Sequence, residues 1–197
     1  MSYCRKIEYE IVPKESFTVI RGCAGCGRKT HFINTKKFRV NANGNKLDVW
    51  LIYQCETCWH TLNLSIYERQ KASSIPKEEY DRFLSNDEEL AELFGRNLSL
   101  FRQNKAEIDF ERLSYGIVKQ CDTTQREDKD DGTGEGRLVL TVHNTYGLKI
   151  RPEKQIAEIL GMSRSQVQKM LREGALQWEA VQPQTISVRM NQQIFDQ

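Results

Sequence analysis

The sequence predicts an α+β protein: an antiparallel β segment over residues 1–70, a helical middle over 71–125, and a small α/β module over 137–197 built on two short helices. Three observations lead there. Two Cys-x-x-Cys pairs sit inside residues whose apolar side chains alternate with period two. That alternation changes to helical spacing after Pro76. Near residue 160 a serine and a glutamine three apart form the signature of a helix start. An acidic, glycine-rich run over 126–136 reads as a linker or loop between the second and third parts.

Ile7, Tyr9 and Ile11 alternate up to Pro13 and predict a short strand, and Phe17 and Val19 predict a second. Phe38-Arg39-Val40 leads into Asn41-Ala42-Asn43-Gly44-Asn45, where Asn-Gly signals a hairpin because both residues tolerate positive φ. Leu47, Val49, Leu51 and Tyr53 then face one way, and Trp50 and Ile52 the other. A strand apolar on both faces is expected to be central. Leu62, Leu64 and Ile66 alternate again. Beyond Pro76, Tyr80, Phe83 and Leu84 predict one helix. Asn86 as N-cap, with Leu90, Leu93 and Phe94 as a stripe and Gly95 as the stop, predicts another. Phe110, Leu113, Ile117 and Val118 predict a third. Glu127 to Gly136 contains no apolar residue, and its acids would repel phosphates, so its glycines do not form a nucleotide-binding loop. Leu138, Leu140 and Val142 predict a strand.

With 197 residues, 39% hydrophobic and 28% charged, the composition is that of a soluble folded chain. No apolar run approaches the roughly 20 residues that span a bilayer, and Met-Ser-Tyr-Cys-Arg-Lys does not open a signal peptide. No membrane contact and a cytoplasmic location are expected, where six cysteines point to metal ligands rather than disulfides. The net charge of +2 is unevenly spread: residues 21–70 carry eight Lys/Arg against three Asp/Glu, and residues 71–136 carry ten against sixteen. Basic ends flanking an acidic middle suit polyanions at the ends, although charged surfaces also serve solubility. An acidic helical middle also offers a surface for a protein partner.

Cys23-Ala24-Gly25-Cys26-Gly27 and Cys55-Glu56-Thr57-Cys58-Trp59 are separated by 28 residues. Two residues between thiols let both sulfurs of a tight turn point at one ion, and two such turns complete a tetrahedron. Cys23, Cys26, Cys55 and Cys58 are therefore the expected ligands of a structural Zn²⁺, with no open position for catalysis. The segment resembles a zinc ribbon, which in translation and transcription proteins binds nucleic acid or docks partners. Arg28, Lys29, Lys36, Lys37 and Arg39 form a candidate secondary patch, with Phe38 or Trp59 as stacking surfaces. An alternative use of the same cations is to neutralise a zinc–thiolate centre that is itself net negative. His31 and His60 stand near the cysteines and are candidate donors to the sulfurs. Cys4, Cys121 and His143 have no partner spacing.

At the other end, Pro152 and Glu153 open a helix with Ile156, Ile159 and Leu160 on its apolar face and Gly161 as its stop. Ser163 and Gln166 cap a second helix, with Val167, Met170 and Leu171 as its stripe and Gly174 after it. Arg164, Gln168 and Arg172 lie four apart on another face, beside Lys169. Arg151, Gly-Met-Ser-Arg-Ser-Gln-Val and Leu-Arg-Glu-Gly-Ala resemble the RNA-binding domain named after ribosomal small-subunit protein four. That resemblance implies that Arg151, Ser163, Arg164, Ser165, Gln168, Lys169 and Arg172 approach RNA phosphates. It covers about 27 residues and departs from the family at Leu176-Gln177-Trp178-Glu179, where Val-Asn-Gly is usual. The same helices also fit a helix-turn-helix that reads DNA. Over the whole chain, Cys-x-x-Cys-Gly-Arg-Lys-Thr, Phe38 to Gly44 and Trp50-Leu51-Ile52-Tyr53-x-Cys resemble an uncharacterised bacterial family of unknown function.

The expected function is a non-enzymatic, zinc-binding RNA-binding protein linked to translation or to ribosomal or transfer RNA. The alternatives are a zinc-containing DNA-binding regulator and a protein-interaction adaptor. No phosphate-binding loop, His-Glu-x-x-His or nucleophile elbow occurs in the sequence.

Overall fold

In the computed structural model, which describes residues 2–127 and 137–191, strands take 49% and helices 24%. The elements are β1 (Ser2–Pro13), β2 (Val19–Cys23), β3 (Arg28–Asn43), β4 (Lys46–Cys55), β5 (Thr61–Lys71), α1 (Lys77–Leu84), α2 (Glu88–Gly95), α3 (Leu98–Gln103), β6 (Glu107–Ile108), β7 (Tyr115–Glu127), β8 (Arg137–His143), α4 (Pro152–Leu160), α5 (Arg164–Arg172), β9 (Leu176–Gln182) and β10 (Thr185–Asn191). They make two five-stranded sheets, one of them a half-barrel, with short helices. This overturns the α+β layout with a zinc-ribbon start and a helical middle.

Two departures carry the correction. The third helix expected from Phe110 to Val118 is absent, and β7 occupies its second half. Phe110, Leu113 and Ile117 do fall at helical spacing. However, Gly116 weakens a helix, the β-branched Ile117, Val118, Thr123 and Thr124 favour extended backbone, and a neighbouring strand captures it. The first strand also does not join the antiparallel segment that follows it. β1 pairs in parallel with β8, Ile7 opposite Leu140, across most of the chain. The acidic run lies, from residue 128 to 136, outside the described residues.

The chain divides into two compact units, residues 13–114 and residues 1–12 with 115–197. In the first, the sheet order is β5-β4-β3-β2-β6, and the pairs are antiparallel. β4 lies between β5 and β3 rather than at the centre, and its Leu47, Val49, Leu51 and Tyr53 are buried with Phe17, Phe32, Phe83, Leu90 and Phe101. Edge-to-face ring pairs, Tyr53 with Phe101 at 6.0 Å and Phe38 with Phe83 at 4.9 Å, tie the helices to this face. The β3–β4 hairpin turns at Gly44 and Asn45, with Gly44 at φ 61°.

A bulge in β3 between Asn34 and Lys37 sets how α2 docks. Asn34 accepts from the Lys36 N–H and donates to the Ala91 carbonyl and to Ser16 Oγ, each at 2.9 Å. Gly95 is buried against this knot. A Cβ there would stand 2.3 Å from Ser16 Oγ and 2.7 Å from Asn34 Nδ2. Close approach, rather than a left-handed stop, is the reason for that glycine. The N-cap also moves by one residue. Asp87 accepts from the Leu90 N–H at 2.8 Å, while Asn86, at φ 53°, accepts from the Phe38 N–H at 2.7 Å.

In the second unit the order is β7-β1-β8-β10-β9. Ile7, Ile11, Leu138, Leu140, Val142, Val188 and Met190 are buried, together with Ile156 of α4 and Val167 of α5. Buried Asn144 closes the loop before α4 by two hydrogen bonds with the backbone of Leu148. Lys154 over the Tyr115 ring at 5.5 Å packs α4 on β7. Among the described residues no helix is long and apolar enough to cross a membrane.

The Gly95 packing makes a prediction. Gly95→Ala is expected to cost about 1–3 kcal/mol in denaturant unfolding, the usual range for overpacking a tight site. Ser16→Gly in the same chain should restore part of that loss, since Ser16 Oγ is the nearest obstacle.

Candidate metal centre

Antiparallel order puts two hairpin turns at one end of the first unit's sheet. β2 ends on Cys23 and turns through Cys26 into β3; β4 ends on Cys55 and turns through Cys58 into β5. Strands β3 and β4 carry the chain out and back between them, with Phe32 opposite Cys55. The four Sγ atoms lie within 4.8 Å of one another. Cys23 and Cys58 are 3.4 Å apart and Cys26 and Cys55 3.8 Å. A disulfide needs roughly 2.05 Å. A tetrahedron with Zn–S bonds of about 2.3 Å has edges of about 3.8 Å. The arrangement therefore fits a metal ion held by four thiolates.

Backbone geometry repeats in the two turns. Gly27 N–H donates to the Cys23 carbonyl at 2.9 Å, and Trp59 N–H to the Cys55 carbonyl at 3.0 Å. Gly27 has φ 66° and Trp59 φ 65°. Gly25 is needed for closeness, since a Cβ there would be 2.9 Å from Cys58 Sγ.

The thiols do not ionise alike. Buried Thr30 places Oγ1 3.2 Å from Cys55 Sγ, and the Thr57 N–H donates to the same sulfur at 3.4 Å. The Thr30 hydroxyl first, then the backbone N–H groups of Cys58 and Thr57, draw the Cys55 thiol down to about 5. Cys26 moves the other way, up to about 12, first through its hydrogen bond with Cys58 and then through burial. Cys58 is also raised. Sulfurs this close resist joint ionisation, and a divalent cation among them removes that conflict. Thr30 was not among the expected site residues. Its signal was its inward parity with Phe32, four residues after Cys26.

His31 faces carboxylates rather than sulfur, with Nε2 3.1 Å from Asp109 and Nδ1 3.9 Å from Glu56. The His60 carbonyl accepts from the Cys55 N–H at 2.9 Å. The secondary patch divides. Lys29 reaches Glu107 at 3.4 Å, and Lys36 reaches Glu88 at 3.1 Å and Glu92 at 2.9 Å. Exposed Arg28, Lys37 and Arg39 form no ion pair among the described residues. In the second unit, Arg151, Ser163, Arg164, Ser165, Gln168, Lys169 and Arg172 are all exposed. Ser163 and Gln166 form the expected capping box, and Gly161, at φ 63°, ends α4.

A family model described as a protein of unknown function, DUF1062, matches residues 40–182. That span takes in the second cysteine pair and both helices α4 and α5, and the first cysteine pair precedes it. No curated protein and no solved structure matches.

The purified chain is expected to carry one metal ion per molecule by elemental analysis, and Cys23→Ser or Cys58→Ser to lose it. Binding needs thiolates, so acid should release the metal. The sign for Cys55 agrees. Its thiol ionises at about 5 in the fold against 9.0 ordinarily. That contribution to stability is therefore full above pH 9 and is lost as the pH falls towards 5. Thr30→Val removes the main donor and should raise the pH of half-release by up to about one unit, read by a colorimetric chelator.

Proposed function

The chain belongs to the DUF1062 family of proteins of unknown function, and from that premise we propose that it is a zinc-binding protein that binds RNA through α4 and α5. Zn²⁺ is the metal that best suits four thiolates in a closed tetrahedral set. Residues Cys23, Cys26, Cys55 and Cys58 would hold it, and its role is to tie two hairpins together.

The observation that carries the RNA reading is the exposed cationic face of α5. Val167 is buried and turns that helix so that Arg164, Gln168, Lys169 and Arg172 face solvent. Arg164 and Arg172 have no ion pair among the described residues, and Lys169 reaches only Glu173, the residue that follows the helix, at 3.8 Å. Guanidinium groups left free in this way suit phosphate oxygens. The order of elements adds support. Helices α4 and α5 run straight into the β9–β10 hairpin, Leu176 opposite Met190. Two helices followed by strands is the layout implied by the resemblance to the RNA-binding domain named after ribosomal small-subunit protein four. A helix-turn-helix that reads DNA usually packs its pair on a third helix; this pair packs on strands.

Reversing Arg164, Lys169 and Arg172 to Glu should weaken binding to transfer RNA. It should also lower the slope of log affinity against log salt by about 2 to 3. Unchanged affinity and slope would remove α5 as the binding face. Tighter binding to duplex DNA than to RNA would favour the regulator instead.

A further inference from the structure

Trp59 occupies a position that its sister turn gives to glycine. In both cysteine turns the residue after the second cysteine is left-handed, with Gly27 at φ 66° and Trp59 at φ 65°. Both donate the same backbone hydrogen bond. Glycine adopts that conformation without a steric penalty; a bulky aromatic does not. The turn therefore holds a strained tryptophan where the fold accepts glycine. Its side chain gains little packing in return, being 66% exposed. Strain of this kind collects where a side chain has work outside the fold.

The surroundings indicate what that work is. Trp59 stands at one end of an open groove of about 630 Å³ on the sheet face opposite α1–α3, lined also by Ile33, Lys37, Arg39, Ile52 and Gln54. Alternation along β3 and β4 puts these residues on one face. Ile33 lies opposite Gln54 and Lys37 opposite Ile52. Among the described residues, no Asp or Glu lines the groove. Lys37 and Arg39 are its cations, and they are cations that no carboxylate engages among the described residues, whereas neighbouring Lys36 is held by Glu88 and Glu92. Two residues apart on one strand face, they stand about 6.7 Å from each other. That suits consecutive phosphates of an extended chain. An exposed aromatic face, an apolar floor and a short cationic row are the parts of a single-strand binding platform.

We propose that this groove binds single-stranded nucleic acid, with a base stacked on Trp59 and the backbone along Lys37 and Arg39. The site lies within residues 13–114 and does not depend on the α4–α5 reading.

The test uses the full metal-loaded chain and a fluorescein-labelled oligouridylate of about twelve nucleotides, with oligodeoxythymidylate and a duplex of equal length alongside. Anisotropy reports binding, and tryptophan quenching reports stacking. Trp59→Gly relieves the backbone, so it should keep the metal and the thermal midpoint while weakening single-strand binding by about tenfold or more. Trp59→Phe should retain most of the affinity. Lys37→Glu with Arg39→Glu should weaken binding and lower the salt slope by about 1.4. The Arg164, Lys169 and Arg172 reversal should leave the quenching intact. Equal affinity for oligouridylate and oligodeoxythymidylate assigns the groove to single strands in general, and a preference for the first assigns it to RNA. The proposal fails if Trp59→Gly leaves affinity and quenching unchanged, if only the duplex binds, or if no oligonucleotide binds. Loss of binding with the α5 reversal alone would sustain the helix pair and overturn the groove. Loss with Trp59→Gly alone would do the reverse.

Discussion

Four sulfurs within 4.8 Å are the constraint around which the first unit is organised. Thiolates that close repel one another, and thiols that close leave donors competing for the same neighbours. A divalent cation resolves both. The rest of that sheet follows from delivering the sulfurs. Adjacent antiparallel strands put alternate turns at the same end, so β2–β3 and β4–β5 each present a cysteine turn while the Gly44-Asn45 turn lies at the far end. Buried Thr30, next to Cys55, extends the site into the sheet interior.

The two faces of that sheet have different tasks. One is closed by α1, α2 and α3 over Leu51 and Tyr53, with Phe101 of α3 against the Tyr53 ring and Asn34 and Gly95 setting the distance of α2. The other keeps Trp59 and Ile33 exposed and Lys37 and Arg39 unpaired among the described residues. The bulge at Asn34 serves both. It keys the strand to α2 on the inside, and its two extra residues place Lys37, rather than Thr35, opposite Ile52 on the outside. The acids of the helical segment have a local use as well: Asp87 caps α2 and pairs with Arg82, and Glu88 and Glu92 hold Lys36.

Much of the candidate metal site was legible because its signal is local. A Cys-x-x-Cys turn is defined by four consecutive residues, and two of them need only a connection long enough to meet. The α4–α5 pair was legible for the same reason, since the Gly161 stop and the Ser163–Gln166 capping box each span a few residues. The third helix failed because its apolar spacing suits a helix while its β-branched content suits a strand. The basic patch was legible as composition only. Nothing near Lys36 in sequence indicates that Glu88 and Glu92 will neutralise it and leave Lys37 free.

By itself, then, the sequence determined the cysteine quartet, the hairpin between its halves, the caps of α4 and α5, and which side chains of those helices are apolar. Tertiary structure alone decided that β1 would pair in parallel with β8, that residues 115–127 would be a strand, which lysines remain uncommitted, and that Trp59 would be exposed beside them. The physical reason is range. Turns and caps are closed by hydrogen bonds over a few residues, so their chemistry is written in adjacent letters. Strand partners and ion pairs join segments tens of residues apart, and no local period records which of several compatible partners the folded chain selects.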